Sequence, residues 1–256
     1  MNNNDFFKKA RRPLGPILAL LTAFASPLGN AASESGEPKE TLKMVTLAAP
    51  PWASQSVQSG EIEGAFVDIV KALTERTGYQ FDITLTPFVR AGREIERGTQ
   101  DCTILAPLDS EKVIAGELTF QHPLGAIPRK GLSLKRYEDL SGQRISVLRG
   151  GSLSERFDAD TTLEKVFDTD YATGLRKVAR ERVDVVVGAI PTLLYIARME
   201  GITAELGEPL VLRNIPLMFQ CSKISTHLDA MPAINQALRD MRDEGVFDTI
   251  QQQHEL

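Results

Sequence analysis

The chain has 256 residues, 42% hydrophobic and 25% charged, with 29 basic against 34 acidic side chains. Residues 1–31 carry four of the basic side chains and one of the acidic ones; without them the balance is 25 to 33, a net charge of −8. That excess of acid excludes the basic face a nucleic-acid partner needs and the polybasic surface an anionic membrane attracts.

Residues 1–31 read as an export signal. Lys8, Lys9, Arg11 and Arg12 precede an apolar run from Leu14 to Ala25, and Gly29-Asn30-Ala31 supplies small residues for cleavage. Ala23-Phe24-Ala25 is a second possible cleavage site. The apolar run is shorter than the roughly 20 residues of a membrane span, and Pro16 and Pro27 interrupt it. The expectation is a soluble mature protein in a bacterial periplasm. Residues 32–41 are polar and predict a loose linker.

Leu42 to Leu47 then alternates as a strand does, and ends at a turn, Ala48-Ala49-Pro50-Pro51-Trp52, that carries the only Trp. Phe66, Ile69, Val70 and Leu73 recur at helical spacing, and Gly78 stops the helix. Tyr79, Phe81, Ile83 and Leu85 alternate as a strand, a short helix follows over 90–97, and 102–105 is a third strand. This β-α-β-α-β order implies a parallel sheet covered by helices. A second such unit begins near Leu140. It has a strand at 144–148, a turn at Arg149-Gly150-Gly151-Ser152, and a helix whose Ser152 and Glu155 are spaced as a capping box. A helix over Leu175 and Val178 leads to a strand at 183–187. Pro191 suits the first turn of the next helix, 217–221 is a strand, and a last helix runs from Leu228 to Met241 and stops at Gly245.

Two cysteines in an oxidising compartment invite a disulfide, although free Cys is also often simply buried. The three histidines have no metal-ligand spacing with each other or with the cysteines. No phosphate-loop, nucleophile-elbow or dinucleotide glycine pattern is present. No cofactor is expected.

Six segments in this order resemble the family 3 extracellular solute-binding proteins, the periplasmic receptors of ABC importers for small polar solutes. They are GAFVDIVKALTERTGYQFDI, RGTQDCTIL, LTFQHPL, EDLSGQRISVLRGGS, ARERVDVVVGAIPTLLYI and INQALRDMRDEGVFDTI. The resemblance implies an α/β, two-lobed periplasmic-binding-protein type II fold, with two crossover strands and a ligand cleft between the lobes. Lobe 1 would be residues 42–125 plus 212–256, and lobe 2 residues 126–211. It implies a non-enzymatic, monomeric receptor with a small-molecule ligand and a membrane permease as partners. Family members that act as cyclohexadienyl or arogenate dehydratases, or that sense a ligand without transport, are the alternatives.

The binding residues implied follow the ends of the strands. Trp52, on a turn whose prolines and polar neighbours predict exposure, would stack on the ligand. Phe88 stands where the family has an aromatic contact, and Arg90 resembles an Arg that clamps a carboxylate. Pro107 and Ala189 lie on the turns after two further strands. In the second lobe Arg149, Gly151 and Ser152 would approach the ligand, with a helix N-terminus behind them. Amino-acid receptors of the family carry an Arg shortly after the third strand, where the nearest cation here is Lys112. They also carry an Asp after the VDAVV-like strand, where this chain has Gly188-Ala189-Ile190. Both halves of a clamp for an amino-acid zwitterion are thus altered. In the family fold the returning strand lies antiparallel beside the third strand, so the resemblance also implies a Cys102–Cys221 disulfide.

Overall fold

The computed structural model describes residues 40–256, with the side chains of Phe88 and Val89 left aside. The expected export signal and nearly all of the linker lie outside the described residues. Strand β1 (Thr41–Leu47) leads to a small hairpin, β2 (Ser54–Gln55) and β3 (Ile62–Glu63). Helix α1 (Ala65–Thr77) is closed by Gly78 in the left-handed region, at φ 76°, where its N–H donates to the Thr74 carbonyl. Then come β4 (Gln80–Thr86), α2 (Phe88–Glu96) and β5 (Cys102–Leu105).

A long strand, β6 (Val113–Pro128), carries the chain into the second unit. That unit is β7 (Arg144–Leu148), α3 (Glu155–Ala159), β8 (Glu164–Asp168), α4 (Tyr171–Ala179), β9 (Val185–Ala189) and α5 (Ile190–Met199). A second long strand, β10 (Leu210–Ser222), returns, and α6 (Met231–Asp243) and α7 (Val246–His254) end the chain. The strand expected at 183–187 sits two residues later, because Asp184 is recruited to ion pairs with Arg129 and Arg144. These hold its carboxyl down at about 2. The last expected helix ends before Gly245 as expected, and a further helix, not expected, starts after that glycine at φ 75°.

The sheet has eight strands in the order β4-β1-β5-β10-β6-β9-β7-β8. Alternation puts Leu42 and Met44 of β1, Cys102 and Ile104 of β5, and Leu217, Phe219 and Cys221 of β10 against one helical layer. That layer is Phe66, Ile69 and Leu73 of α1, Ile234, Leu238 and Met241 of α6, and Phe247 and Ile250 of α7. Val45 and Leu105 face the other way, onto Ala91 and Ile95 of α2. A separate core joins Ile127 and Val186 to Leu175 and Val178 of α4 and Leu193 of α5. Its counterpart on the opposite face gathers Leu124, Ile145, Val147, Phe157 and Val185.

The disulfide implied by the resemblance is present. Cys102 and Cys221 are direct partners in the antiparallel pairing of β5 with β10, and their sulfurs are bonded.

The register of the two long strands positions everything that follows. β6 and β10 pair antiparallel as a ribbon from Val113–Ser222 to Ala126–Leu210. β5 runs alongside it and ends where Leu105 faces Met218, which itself faces Leu118. β9 runs in the opposite sense and ends where Ala189 faces Leu124. The carboxyl ends of the two parallel sets therefore point at each other across residues 118–124 of β6, a gap of about 20 Å at 3.3 Å per residue. Within it Pro216 faces Gln121 and Pro123 faces Asn214, and register shifts occur around Met218 and between Val211 and Arg213.

Candidate functional site

On one side of the gap the turns follow β1, β4 and β5. The turn after β1 is pinned from below. The first backbone N–H groups of α1, from Ala65 and Phe66, donate to the carbonyls of Pro51 and Trp52, at 3.1 and 2.9 Å. Gly64 makes this approach possible, since a Cβ there would lie 2.6 Å from the Trp52 carbonyl oxygen. These donors are thereby consumed within the chain.

Trp52 is not the exposed side chain expected of its turn. It is 3% exposed, with ring centroids 5.2 Å from Phe66, 5.7 Å from Phe120 and 5.0 Å from His122. Its correction is physical: an indole beside a helix start and a long strand buries too much apolar surface to remain in water. Phe120 and His122 belong to the gap segment of β6, so the indole forms its floor. Both Trp52 Nε1 and His122 Nδ1 are buried without a hydrogen-bond partner.

Burial pushes the His122 imidazole down to about 4, so it is neutral at pH 7. An unfolded chain with an ordinary histidine takes up that proton near 6.5. Stability therefore falls as the pH drops from about 6.5 toward 4. We expect His122→Gln to flatten acid destabilisation by about 2–3 kcal/mol between pH 7 and 4. Urea unfolding at both pH values measures it, and an equally steep loss in the variant contradicts it.

The turn after β5 is braced by a side chain that sequence reasoning missed. Gln220 is 1% exposed; its amide donates to the carbonyls of Leu105 and Ala106 and accepts from the Leu108 N–H. Pro107 is held exposed between these bonds. Lys112 is not in the site. The chain turns back after β5, so that Val113 pairs with Ser222, beside the disulfide and at the amino end of β5. Its ammonium binds Glu96 at 3.2 Å. Arg90 points elsewhere too, into a groove with Arg93 and Arg97 of α2. The Phe88 side chain lies outside the described residues.

Across the gap, Arg149 follows β7. Its N–H is tied to the Asp168 carbonyl at 2.8 Å, while its side chain is exposed. Gly150 takes φ 75° and Gly151 donates to the Leu148 carbonyl, which makes the turn tight. The capping box expected of Ser152 and Glu155 is not formed. Ser154 is the N-cap, accepting from the Phe157 N–H at 3.2 Å, and Ser152 donates to Asp158. The helix behind the turn has five residues and its start is capped internally, so it offers no anion cradle.

At the end of β9 stands Tyr171, also missed. A Cβ on Gly188 would lie 2.5 Å from the tyrosine ring, so glycine there is what lets the ring cover the strand end. The Ala189 N–H donates to the phenol oxygen at 3.4 Å, and burial raises the phenol pKa. The signal was Gly188 itself, where a run of valines stops at a residue without a side chain. The strand ends and turns that border the gap thus carry Pro107 with Trp52 and His122 on one side, and Arg149, Gly151, Tyr171 and Ala189 on the other. Among the described residues no group of His, Cys, Asp and Glu is arranged to hold a metal ion.

No protein-family model and no curated protein matches the sequence. Solved structures do match, over nearly their whole length. An ancestral arginine-binding protein bound to arginine is 20% identical and superposes with a TM-score of 0.64, covering 85% of this chain and 99% of that one. The second substrate-binding domain of Lactococcus lactis GlnP, in its open conformation, is 17% identical with a TM-score of 0.69, over 86% and 97%. A histidine kinase sensor domain similar to periplasmic binding proteins gives 17% and 0.65, over 84% and 96%. With the mixed sheet and its two crossing strands, these place the chain in the type II periplasmic-binding-protein fold. The fold is the one implied by the six sequence segments.

Proposed function

We propose that the chain is a periplasmic solute receptor, which closes on a small polar or anionic solute and delivers it to an ABC importer. One observation carries the reading: two separately cored groups of parallel strands aim their carboxyl ends at each other across the same segment, residues 118–124, of a two-stranded ribbon. Such a gap binds a ligand between two bodies that rotate about the ribbon. The bodies are residues 42–125 with 212–256, and residues 126–211. Arg149 supplies the positive charge of the second body, and Trp52 with His122 the floor.

The ligand is something other than an ordinary α-amino acid. Lys112 is engaged by Glu96 at the far end of the strand, and Tyr171 covers the strand end where an ammonium would need a carboxylate. The similar structures include receptors of amino acids, so the two properties are separable by experiment.

A thermal-shift panel of small carboxylates, polyols, amides and amino acids finds the solute, since a ligand of the native state raises Tm. Calorimetry then compares the parent with Arg149→Ala. We expect the loss of one charge-assisted hydrogen bond to weaken binding by about 1.5–3 kcal/mol, with the melting temperature of the free protein unchanged. A variant that binds the solute as tightly as the parent removes Arg149 from the site. Sub-micromolar affinity for any common amino acid rejects the ligand class.

A further inference from the structure

The flank of α2 turned away from Leu108 carries Arg90, Arg93 and Arg97, three and four residues apart and all exposed. Together with Glu94, Thr99 and Gln100 they line a cavity of about 740 Å³. None of the three makes an ion pair or a side-chain hydrogen bond among the described residues. Arg76, Arg144, Arg176 and Arg239 are each paired with a carboxylate within 3 Å, whereas Arg149, Arg180, Arg182 and Arg213 are, like these three, without an ion pair among the described residues but do not share one helix flank. Glu96, on the same helix, is spent on Lys112.

This arrangement works against the helix. Like charges three and four residues apart repel. Arg90 also lies in a first turn without an acidic residue, against the positive end of the helix dipole. Ala91 and Ile95, both 0% exposed, anchor the opposite face, so the three guanidinium stems leave a fixed support. A chain with an overall excess of acid thus gathers unpaired cations in one groove. Pro87, on the turn after β4 that borders the gap, also lines it, whereas Trp52, Pro107, His122, Arg149, Gly151, Tyr171 and Ala189 do not.

We infer that this groove binds a small multivalent oxyanion, bearing phosphate groups or several carboxylates. Two or three guanidinium forks match the oxygens of such a ligand in bidentate fashion. The site is separate from the proposed solute cleft and does not depend on it.

Calorimetry of the whole chain in 0.15 M salt, with pyrophosphate and with citrate as probes, tests the inference. We expect saturable one-site binding of at least one of them, and preference between the two tells phosphate from carboxylate recognition. Arg93→Gln weakens it tenfold or more, and Arg90→Gln with Arg97→Gln abolishes it. Arg149→Ala leaves it unchanged. Far-ultraviolet circular dichroism confirms that each variant is folded. Absence of saturable binding for both anions overturns the site. So does affinity that survives the triple Arg→Gln variant, and loss in Arg149→Ala alone assigns the anion to the cleft instead.

Discussion

Breaking the Cys102–Cys221 bond lowers the stability of the protein by about 3–5 kcal/mol. The two residues are 119 apart in sequence, and cross-linking so long a loop removes conformational freedom mainly from the unfolded chain. The bond joins neighbouring strands at the amino end of β5, 1% exposed on both sides, and ties the returning strand β10 to β5. Guanidinium unfolding of oxidised protein against Cys102→Ala/Cys221→Ala measures the effect. The double variant keeps the hydrophobic environment of both positions, so the difference reports the cross-link. Coincident unfolding midpoints would mean that the open loop retains enough structure to cancel the entropic gain. Because the bond lies at the end of the strands away from the gap, solute affinity is the same in both forms.

Trp52→Ala destabilises by about 3–5 kcal/mol, the range for a large aromatic truncated in a core. The indole fills the space among Phe66, Phe120 and His122. Trp52→Phe loses less, since part of the ring contact is kept. Urea midpoints of the three proteins rank them, and an alanine variant within 1 kcal/mol of the parent refutes the buried position. Any loss of solute binding in the alanine variant must be read against its stability.

The two tryptophan readings mark what was legible in the sequence. Elements with a local period were: α1 by its apolar stripe and Gly78, β4 by alternation, and β5 and β7 to the residue. β6 had no such signal, because Gly116, Pro123 and the change of environment from one core to the next break its alternation. The burial of Trp52 depends on Phe66 and Phe120, and nothing in the prolines beside it encodes those distances. Lys112 illustrates a related failure. Closeness in sequence to β5 suggested closeness to its end, but a reversing chain carries each further residue away from that end. The positions of Arg149, Gly151, Pro107 and Ala189 at strand ends were legible because turns after parallel strands are fixed by local order. Tyr171, His122 and Gln220 act through partners far along the chain. The cysteine pairing came from the resemblance, whose strand order the structure reproduces.

The ribbon of β6 and β10 has its own mechanical character. Pro123 and Pro216 bring no N–H to the ladder, and both fall inside the 118–124 gap, with displaced register at its edges. A beam thinned at its middle concentrates curvature there under load, while its fully laddered ends stay stiff. Compliance is thus localised in a few residue pairs, and in the proposed closure the torque would be set by them rather than by either core.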